Sequence, residues 1–99
     1  MRIISRKTLV EFYNREDCRD AKGPLDVWWQ EAKKAKWISW TDIKKKYRSA
    51  SVLKDNRVVF NISGNKYRLV VKINYPVQIV YIRFVGTHKE YDKINAEVI

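Results

Sequence analysis

Cysteine and histidine are almost absent from this sequence, which holds one of each, Cys18 and His88, among its 99 residues. A single cysteine excludes an internal disulfide and any multi-cysteine zinc site. A catalytic cysteine would need a histidine partner, and the histidine stands 70 positions away. Cys18 is therefore predicted to be a spectator thiol. The single histidine in turn excludes an acid–base pair made of two histidines.

Long apolar runs are missing as well. The longest ones reach three or four residues, whereas a helix that spans a bilayer needs about 20. Residues 1–7 carry charges that no long apolar stretch follows, so a signal peptide is not expected. We therefore expect a single domain over residues 1–99, located in the cytoplasm and not bound to a membrane.

Acidic side chains are scarce in one part of the chain only. Residues 33–72 carry twelve basic and two acidic side chains, which accounts for the whole net charge of +10, since the flanking parts are balanced. A basic block of this kind attracts a polyanion such as RNA. The alternative is a solvated lysine-rich surface, which we prefer for Lys33, Lys34 and Lys36. The predicted RNA contacts are the cations of the strands and of one short helix: Arg57, Lys66, Lys72, Arg83, Lys44, Lys45 and Lys46.

Helical periodicity dominates the first half of the chain. After a short opening strand at residues 2–4, the spacing of apolar residues predicts helices over 6–18, 25–36 and 41–47. Ser5 and Thr41 are the predicted caps of the first and third helix, and residues 22–24 are predicted to separate the first two. Four tryptophans could be mistaken for a base-stacking platform, but we expect most of them in the core: Trp28, Trp29, Trp37 and Trp40.

A period of two follows residue 56 and predicts strands over 57–62, 66–73 and 78–85. Each strand has an apolar face and a more polar one; in the last strand, Val80, Ile82 and Phe84 are expected on the apolar face. Such strands predict an antiparallel sheet that helices cover on one side, hence an α+β fold.

The segment after the last strand contains the residues best suited to chemistry. Thr87 and Glu90 fit a capping box that starts a helix, predicted to run to about residue 96. His88 then stands at the positive helix end, which favours a neutral ring that can act as a base. Tyr91 lies on the same side of that helix. Taken singly, such residues are more often structural than catalytic.

Together with Arg68 on a strand, these residues suit cleavage of RNA by its own 2′-hydroxyl. That reaction needs a base, cationic donors for the extra negative charge, and an acid for the leaving 5′-oxygen. Arg68 is the best phosphate clamp because its planar fork can hold two oxygens. His88 must share the acid and base work with Tyr91 or with a basic residue. No metal or other cofactor is needed.

Two segments carry a family resemblance. Residues 59–70, VFNI-x-GNKYRLV, and residues 81–92, YIRFVGTHKEYD, are similar to HigB-type toxins of the RelE superfamily, and the upstream tryptophan-rich stretch fits as well. The resemblance covers nearly the whole chain. It implies a RelE-like fold, with N-terminal helices packed on a small antiparallel sheet and a short C-terminal helix.

The same resemblance implies an activity and partners. It implies an mRNA interferase that cleaves messages in the ribosomal A site and a HigA-type helix-turn-helix antitoxin, through which alone operator DNA would be contacted. Ribosomal RNA would be the partner of the basic block. Arg68 matches the strand arginine of the superfamily, and His88 and Tyr91 match its acid–base and stacking positions. Lys66 and Arg83 match only loosely.

Two other functions stay open. RelE-like folds also include toxins that bind gyrase rather than RNA, because a fold does not fix a function. A degenerate toxin that survives only as a partner of its antitoxin is the other alternative. Either protein would tolerate the loss of His88 or Arg68, which a nuclease would not.

Overall fold

The computed structural model describes residues 1–99, in which helices pack against one five-stranded mixed sheet. The elements follow in the order β1 (Arg2–Ile4), α1 (Arg6–Tyr13), a 3₁₀ helix (Glu16–Ala21), α2 (Lys22–Lys34), α3 (Trp40–Lys46), β2 (Ser51–Val52), β3 (Arg57–Ile62), β4 (Tyr67–Asn74), β5 (Ile79–Thr87) and α4 (His88–Asp92). None of the helices is long and apolar enough to cross a membrane.

Several helix boundaries differ from the prediction. α1 ends at Tyr13 because a separate 3₁₀ helix follows it. α2 begins at Lys22, since Pro24 falls in its first turn, where the missing proline N–H would have had no helical partner anyway. The Ser5 side chain makes no capping hydrogen bond. α3 starts after Ser39, not Thr41, and the Asp42 carboxylate accepts from backbone N–H groups before it.

The sheet has the strand order β1-β5-β4-β3-β2. β5, β4, β3 and β2 pair antiparallel, as predicted, but β1 adds to β5 in parallel. The prediction of a purely antiparallel sheet is corrected on this edge. The turn between β3 and β4 holds Ser63 and Gly64 at positive φ, as a tight hairpin requires.

The main core lies between the helices and one face of the sheet. Trp28 and Trp37 are buried there and contact the Phe60 ring, with ring centres 5.4 and 6.2 Å away. Trp29 is partly buried, whereas Trp40 is 51% exposed. Three of the four tryptophans thus lie in the core or partly in it, as predicted. Cys18 is also buried, and burial raises the pKa of its thiol, which agrees with a spectator role.

A β-bulge in β5 changes which face its later side chains reach. Val70 pairs with Phe84 and Val71 with Ile82, so Arg83 is an extra residue in β5. Phe84 consequently packs on the opposite face from Ile82. The prediction that Phe84 shares the main core face was wrong because a strict period of two does not allow for a bulge.

The second face of the sheet is partly covered by the end of the chain. α4 stops at Asp92, well short of the predicted end, and the following residues return across β3 and β4. They bury a small second core made of Val59, Val70 and Ala96, with Leu53, Phe84, Tyr91, Ile94 and Ile99 packed against it. The expected open polar face is therefore divided into two polar ends with an apolar centre.

Candidate active site

The capping box at the start of α4 forms as predicted. The Thr87 hydroxyl accepts from the Glu90 backbone N–H at 3.2 Å, and the Glu90 carboxylate accepts from the Thr87 N–H at 2.9 Å. Arg15 donates to both Glu90 carboxylate oxygens, at 3.1 and 3.0 Å. The hydrogen bond from the Thr87 N–H and, to a smaller extent, that from Arg15 hold the pKa of Glu90 below its ordinary value. These bonds fix the position of His88, the first residue of α4.

Gly86 lets the end of β5 approach its neighbours closely. A Cβ added there would lie 2.5 Å from the Phe84 ring and 3.2 Å from the Glu90 Cβ. Gly86 also pairs in register with Arg68 of β4. The small residue thus lets α4 start directly beside Arg68.

Arg68 brings the three predicted catalytic residues into one cluster. Its Nη2 lies 2.9 Å from His88 Nε2, and its guanidinium carbon lies 5.2 Å from the centre of the Tyr91 ring. The Tyr91 ring in turn packs against Phe84, with ring centres 6.5 Å apart. Arg68 has no carboxylate partner, so its charge is balanced only by the Tyr91 ring and the histidine lone pair.

The Arg68 contact determines the state of the His88 ring. A guanidinium can only donate hydrogen bonds, so His88 Nε2 must accept, and an accepting ring is neutral with its hydrogen on Nδ1. That Nδ1 lies 3.3 Å from the Asp92 Oδ2 atom, one helical turn further on. The His88 side chain is half exposed. A neutral, accessible ring with a lone pair on Nε2 is the form that can take up a proton.

An open cleft of about 580 Å³ adjoins His88 and is lined by several cations, including Arg15, Lys66, Lys89 and Lys93. Lys66 is ion-paired with Asp20, which also accepts from the Tyr67 hydroxyl. The hydrogen bond from Lys66 and, to a smaller extent, that from Tyr67 hold the pKa of Asp20 below its ordinary value. Lys66 is thus at the site, but its charge is already paired with that of Asp20.

The polar surface at the other end of the second face contains Lys72 and Arg83. Together with Asn56, Asn74 and Tyr81 they line a separate cleft of about 510 Å³. Neither cation forms an ion pair with a carboxylate, and neither contacts the Arg68 cluster. The apolar second core lies between the two polar ends.

Comparison with known proteins identifies the family. A family model described as the RelE-like toxic component of a toxin–antitoxin system matches residues 21–94. The chain belongs to the HigB toxin family. Three curated HigB proteins are 48% identical to it over 42 residues: the mRNA interferase toxin HigB of Escherichia coli K12, and the mRNA interferases HigB of Escherichia coli O157:H7 and Shigella flexneri. That stretch covers 42% of this chain and 40% of each relative, so the comparison spans less than half of their length.

Four predicted RNA contacts of this HigB-family chain are engaged elsewhere. Arg57 is 6% exposed, and its Nε donates to the Ile99 carbonyl at 2.8 Å, so the expectation of an exposed strand cation is corrected. The three α3 lysines lie on the helical side of the sheet and have local partners: Lys44 the Arg48 and Ala50 carbonyls, Lys45 the Asp42 carboxylate, and Lys46 the Glu31 carboxylate. None of the four reaches the Arg68 cluster.

Sequence reasoning missed two residues beside the Arg68 cluster. Asp92 is not among the predicted site residues, although its spacing of four from His88 places both on one helical face. Arg15 is distant in sequence, and no local pattern could have indicated its bond to Glu90. Across residues 1–99, no group of three histidine, cysteine or acidic side chains is placed to hold a metal ion.

Proposed function

We propose that this HigB-family protein is the toxin of a type II toxin–antitoxin system and acts as a ribosome-dependent mRNA interferase that cleaves mRNA in the ribosomal A site. The observation that carries this proposal is the contact between Arg68 Nη2 and His88 Nε2, which lie 2.9 Å apart. An arginine placed beside a base and not beside a carboxylate suits a phosphate substrate. The names of the partial-length relatives support the coarser part of this proposal, an mRNA interferase.

In the proposed reaction, Arg68 leaves His88 Nε2 and binds two oxygens of the scissile phosphate. Nε2 then accepts the proton of the 2′-hydroxyl, whose oxygen attacks phosphorus. The bond to the 5′-oxygen breaks, and that oxygen takes a proton from the Tyr91 hydroxyl or from Lys66. Arg68 stabilises the additional negative charge in the transition state. The products are a 2′,3′-cyclic phosphate and a 5′-hydroxyl, and no metal takes part.

The proposed target determines the proposed partners. A protein that acts on the ribosome works in the cytoplasm. There, mRNA and ribosomal RNA provide a polyanion that Lys72 and Arg83 can contact. A HigA-type helix-turn-helix antitoxin would neutralise the toxin and contact operator DNA, leaving the toxin with only an indirect link to DNA.

Mapping of 5′ ends on a reporter mRNA in a reconstituted translation system tests this proposal. We expect cleavage within A-site codons by the wild-type protein, only when ribosomes are present, and its loss in His88→Ala and Arg68→Ala. Arg2→Ala, which removes an exposed arginine on β1, is the matched control and should cleave like wild type. Circular dichroism establishes that each variant folds, and His88→Gln replaces His88→Ala if the latter does not.

Two outcomes would favour the alternatives. No cleavage by a well-folded wild type would point to a toxin that binds a protein such as gyrase, or to an inactive partner of the antitoxin. Undiminished cleavage by His88→Ala and Arg68→Ala would place the active site elsewhere in the molecule.

A further inference from the structure

We infer that Asp92 is a positioning residue that holds the His88 ring in the form with its hydrogen on Nδ1 and its lone pair on Nε2. The inference about the ring stands on geometry alone. Its consequence for RNA cleavage rests on the proposed function. Asp92 itself touches no substrate atom in this scheme and acts only through His88.

The geometry places one partner on each ring nitrogen. Asp92 Oδ2 lies 3.3 Å from Nδ1, and Arg68 Nη2 lies 2.9 Å from Nε2. A guanidinium can only donate, so the Arg68 contact requires a lone pair on Nε2 and places the ring hydrogen on Nδ1, on the side of the Asp92 carboxylate that can accept it. The tautomer of a histidine is set by the hydrogen bond that its other nitrogen makes. When Arg68 moves to the phosphate, only Asp92 is left to hold the ring in this form.

Helix stability does not explain an acidic residue at this position. Asp92 is the last residue of α4, and negative charge is unfavourable at the C-terminal end of a helix. The nearby carboxylate of Glu90 is used by Arg15 and the capping box. Asp92 pairs with no lysine or arginine, and its contact with His88 is the one polar contact of its side chain.

The position of Asp92 matters most after proton transfer. Once Nε2 has taken the 2′-hydroxyl proton, the ring is an imidazolium with hydrogens on both nitrogens. The Asp92 carboxylate then faces the positive ring and stabilises it, while the hydrogen on Nδ1 stays on the ring. Loss of the carboxylate should therefore slow the chemical step and leave substrate binding unchanged.

Nitrogen NMR of the imidazole tests the tautomer directly. His88 is the only histidine, so uniformly ¹⁵N-labelled protein gives a single pair of ring nitrogen signals. In the wild type we expect the pattern of a neutral ring protonated on Nδ1. Arg68 also holds Nε2 in the free protein, so the Asp92 substitutions are made in Arg68→Ala protein. There, Asp92→Ala should move the pattern toward a mixture of both tautomers, and Asp92→Glu should restore part of the pattern protonated on Nδ1. Asp26→Ala in the same protein, which removes a partly exposed carboxylate paired with Lys22, is the matched control.

Single-turnover cleavage on saturating ribosomes is the second readout. Asp92→Ala should lower the maximal rate about 10- to 100-fold, as removal of an orienting partner of histidine does in metal sites. The ribosome concentration for half-maximal rate should stay as in wild type, and Asp26→Ala should match wild type in both. The Asp92 side chain is 61% exposed, so Asp92→Ala and Asp92→Glu are expected to fold. Circular dichroism checks the fold of each variant.

Unchanged ring signals when Asp92→Ala is added to Arg68→Ala protein would overturn the inference, whether or not the protein cleaves RNA. Changed signals with an undiminished rate would overturn its catalytic part. If the wild type does not cleave mRNA, the proposed function fails, and the nitrogen signals alone decide whether Asp92 positions the ring.

Discussion

The basic segment of this protein contains two sets of cations with different surroundings. On the helical side of the sheet, Lys44 of α3 donates to a nearby carbonyl, Lys46 is paired with a carboxylate, and Lys45 lies 4.0 Å from the Asp42 carboxylate. Arg68 of β4 instead lies against a histidine lone pair and an aromatic ring, with no carboxylate partner. The number of charges in a segment therefore says little about function. What each charge contacts in the folded protein says much more.

The same contrast divides the second face of the sheet. At one end are Arg68 and His88, and at the other are Lys72 and Arg83, with the apolar second core between them. Arg57 belongs to this face by its register but is buried beneath the last residues of the chain. The face therefore combines a candidate site for chemistry, a structural arginine and an open basic cleft.

Of the substitutions that test this difference, Arg68→Ala should lower the cleavage rate most. Removing a donor that stabilises transition-state charge lowers a rate about 10²- to 10³-fold, and we expect a loss of this size in single-turnover cleavage. Lys46→Ala removes a cation of the same segment that is paired with Glu31, and it should stay within about 2-fold of wild type because exposed pairs contribute little. Equal losses in both variants would show that only the total charge matters.

Arg57→Ala tests whether a cation of the second face can be purely structural. The substitution leaves the Ile99 carbonyl without its donor and empties a buried position. We expect a loss of about 1–3 kcal/mol in the free energy of unfolding, measured by urea denaturation. Cleavage below the unfolding transition should be close to wild type. A stable variant with impaired ribosome binding would instead assign Arg57 to the RNA interface.

Lys72→Ala and Arg83→Ala sharpen the role of the second basic cleft. If each contacts one phosphate, each substitution should weaken ribosome binding and reduce the slope of log affinity against log salt by about 1. The rate on saturating ribosomes should not change, in contrast to Arg68→Ala. Binding titrations at several salt concentrations measure the slope, and an unchanged slope would remove this cleft from the RNA interface.

Glu90→Gln gives the smallest expected effect and concerns the support of the site. The pKa of Glu90 is lower in the folded protein than its ordinary value of 4.5. The ionised carboxylate therefore stabilises the fold at every pH above that ordinary pKa. That contribution is lost as the pH falls through the lower, folded-state pKa. The wild type should therefore exceed Glu90→Gln by about 1 kcal/mol near neutral pH. Urea unfolding at several pH values should show this difference shrinking below pH 4.5, and a constant difference would contradict it.

The parts of the fold that local patterns determine were predicted well. The strands of the main sheet, the helical first half and the capping box at Thr87 all follow from short-range periodicity and end signals. Arg68, His88 and Tyr91 could be placed on neighbouring elements for the same reason. Their roles in catalysis stay predictions.

The parts that depend on tertiary structure could not be read from the sequence. The bulge at Arg83 sends Phe84 to the other face, and a period of two contains no sign of it. The burial of Arg57 requires the last residues to fold back over β3. The ion pair of Lys46 requires α2 to bring Glu31 beside α3. In each case, a contact between distant parts of the chain overrides the local pattern.

The chemistry assigned to Arg68 and His88 is tested most directly by the end groups of the cleaved mRNA. Attack by the 2′-hydroxyl, with His88 as base and no metal, leaves a 2′,3′-cyclic phosphate on one fragment and a 5′-hydroxyl on the other. Enzymatic end-labelling of A-site fragments made by the wild type should find both groups. A 3′-hydroxyl with a 5′-phosphate would show that water attacked the phosphate, and it would contradict the proposed mechanism.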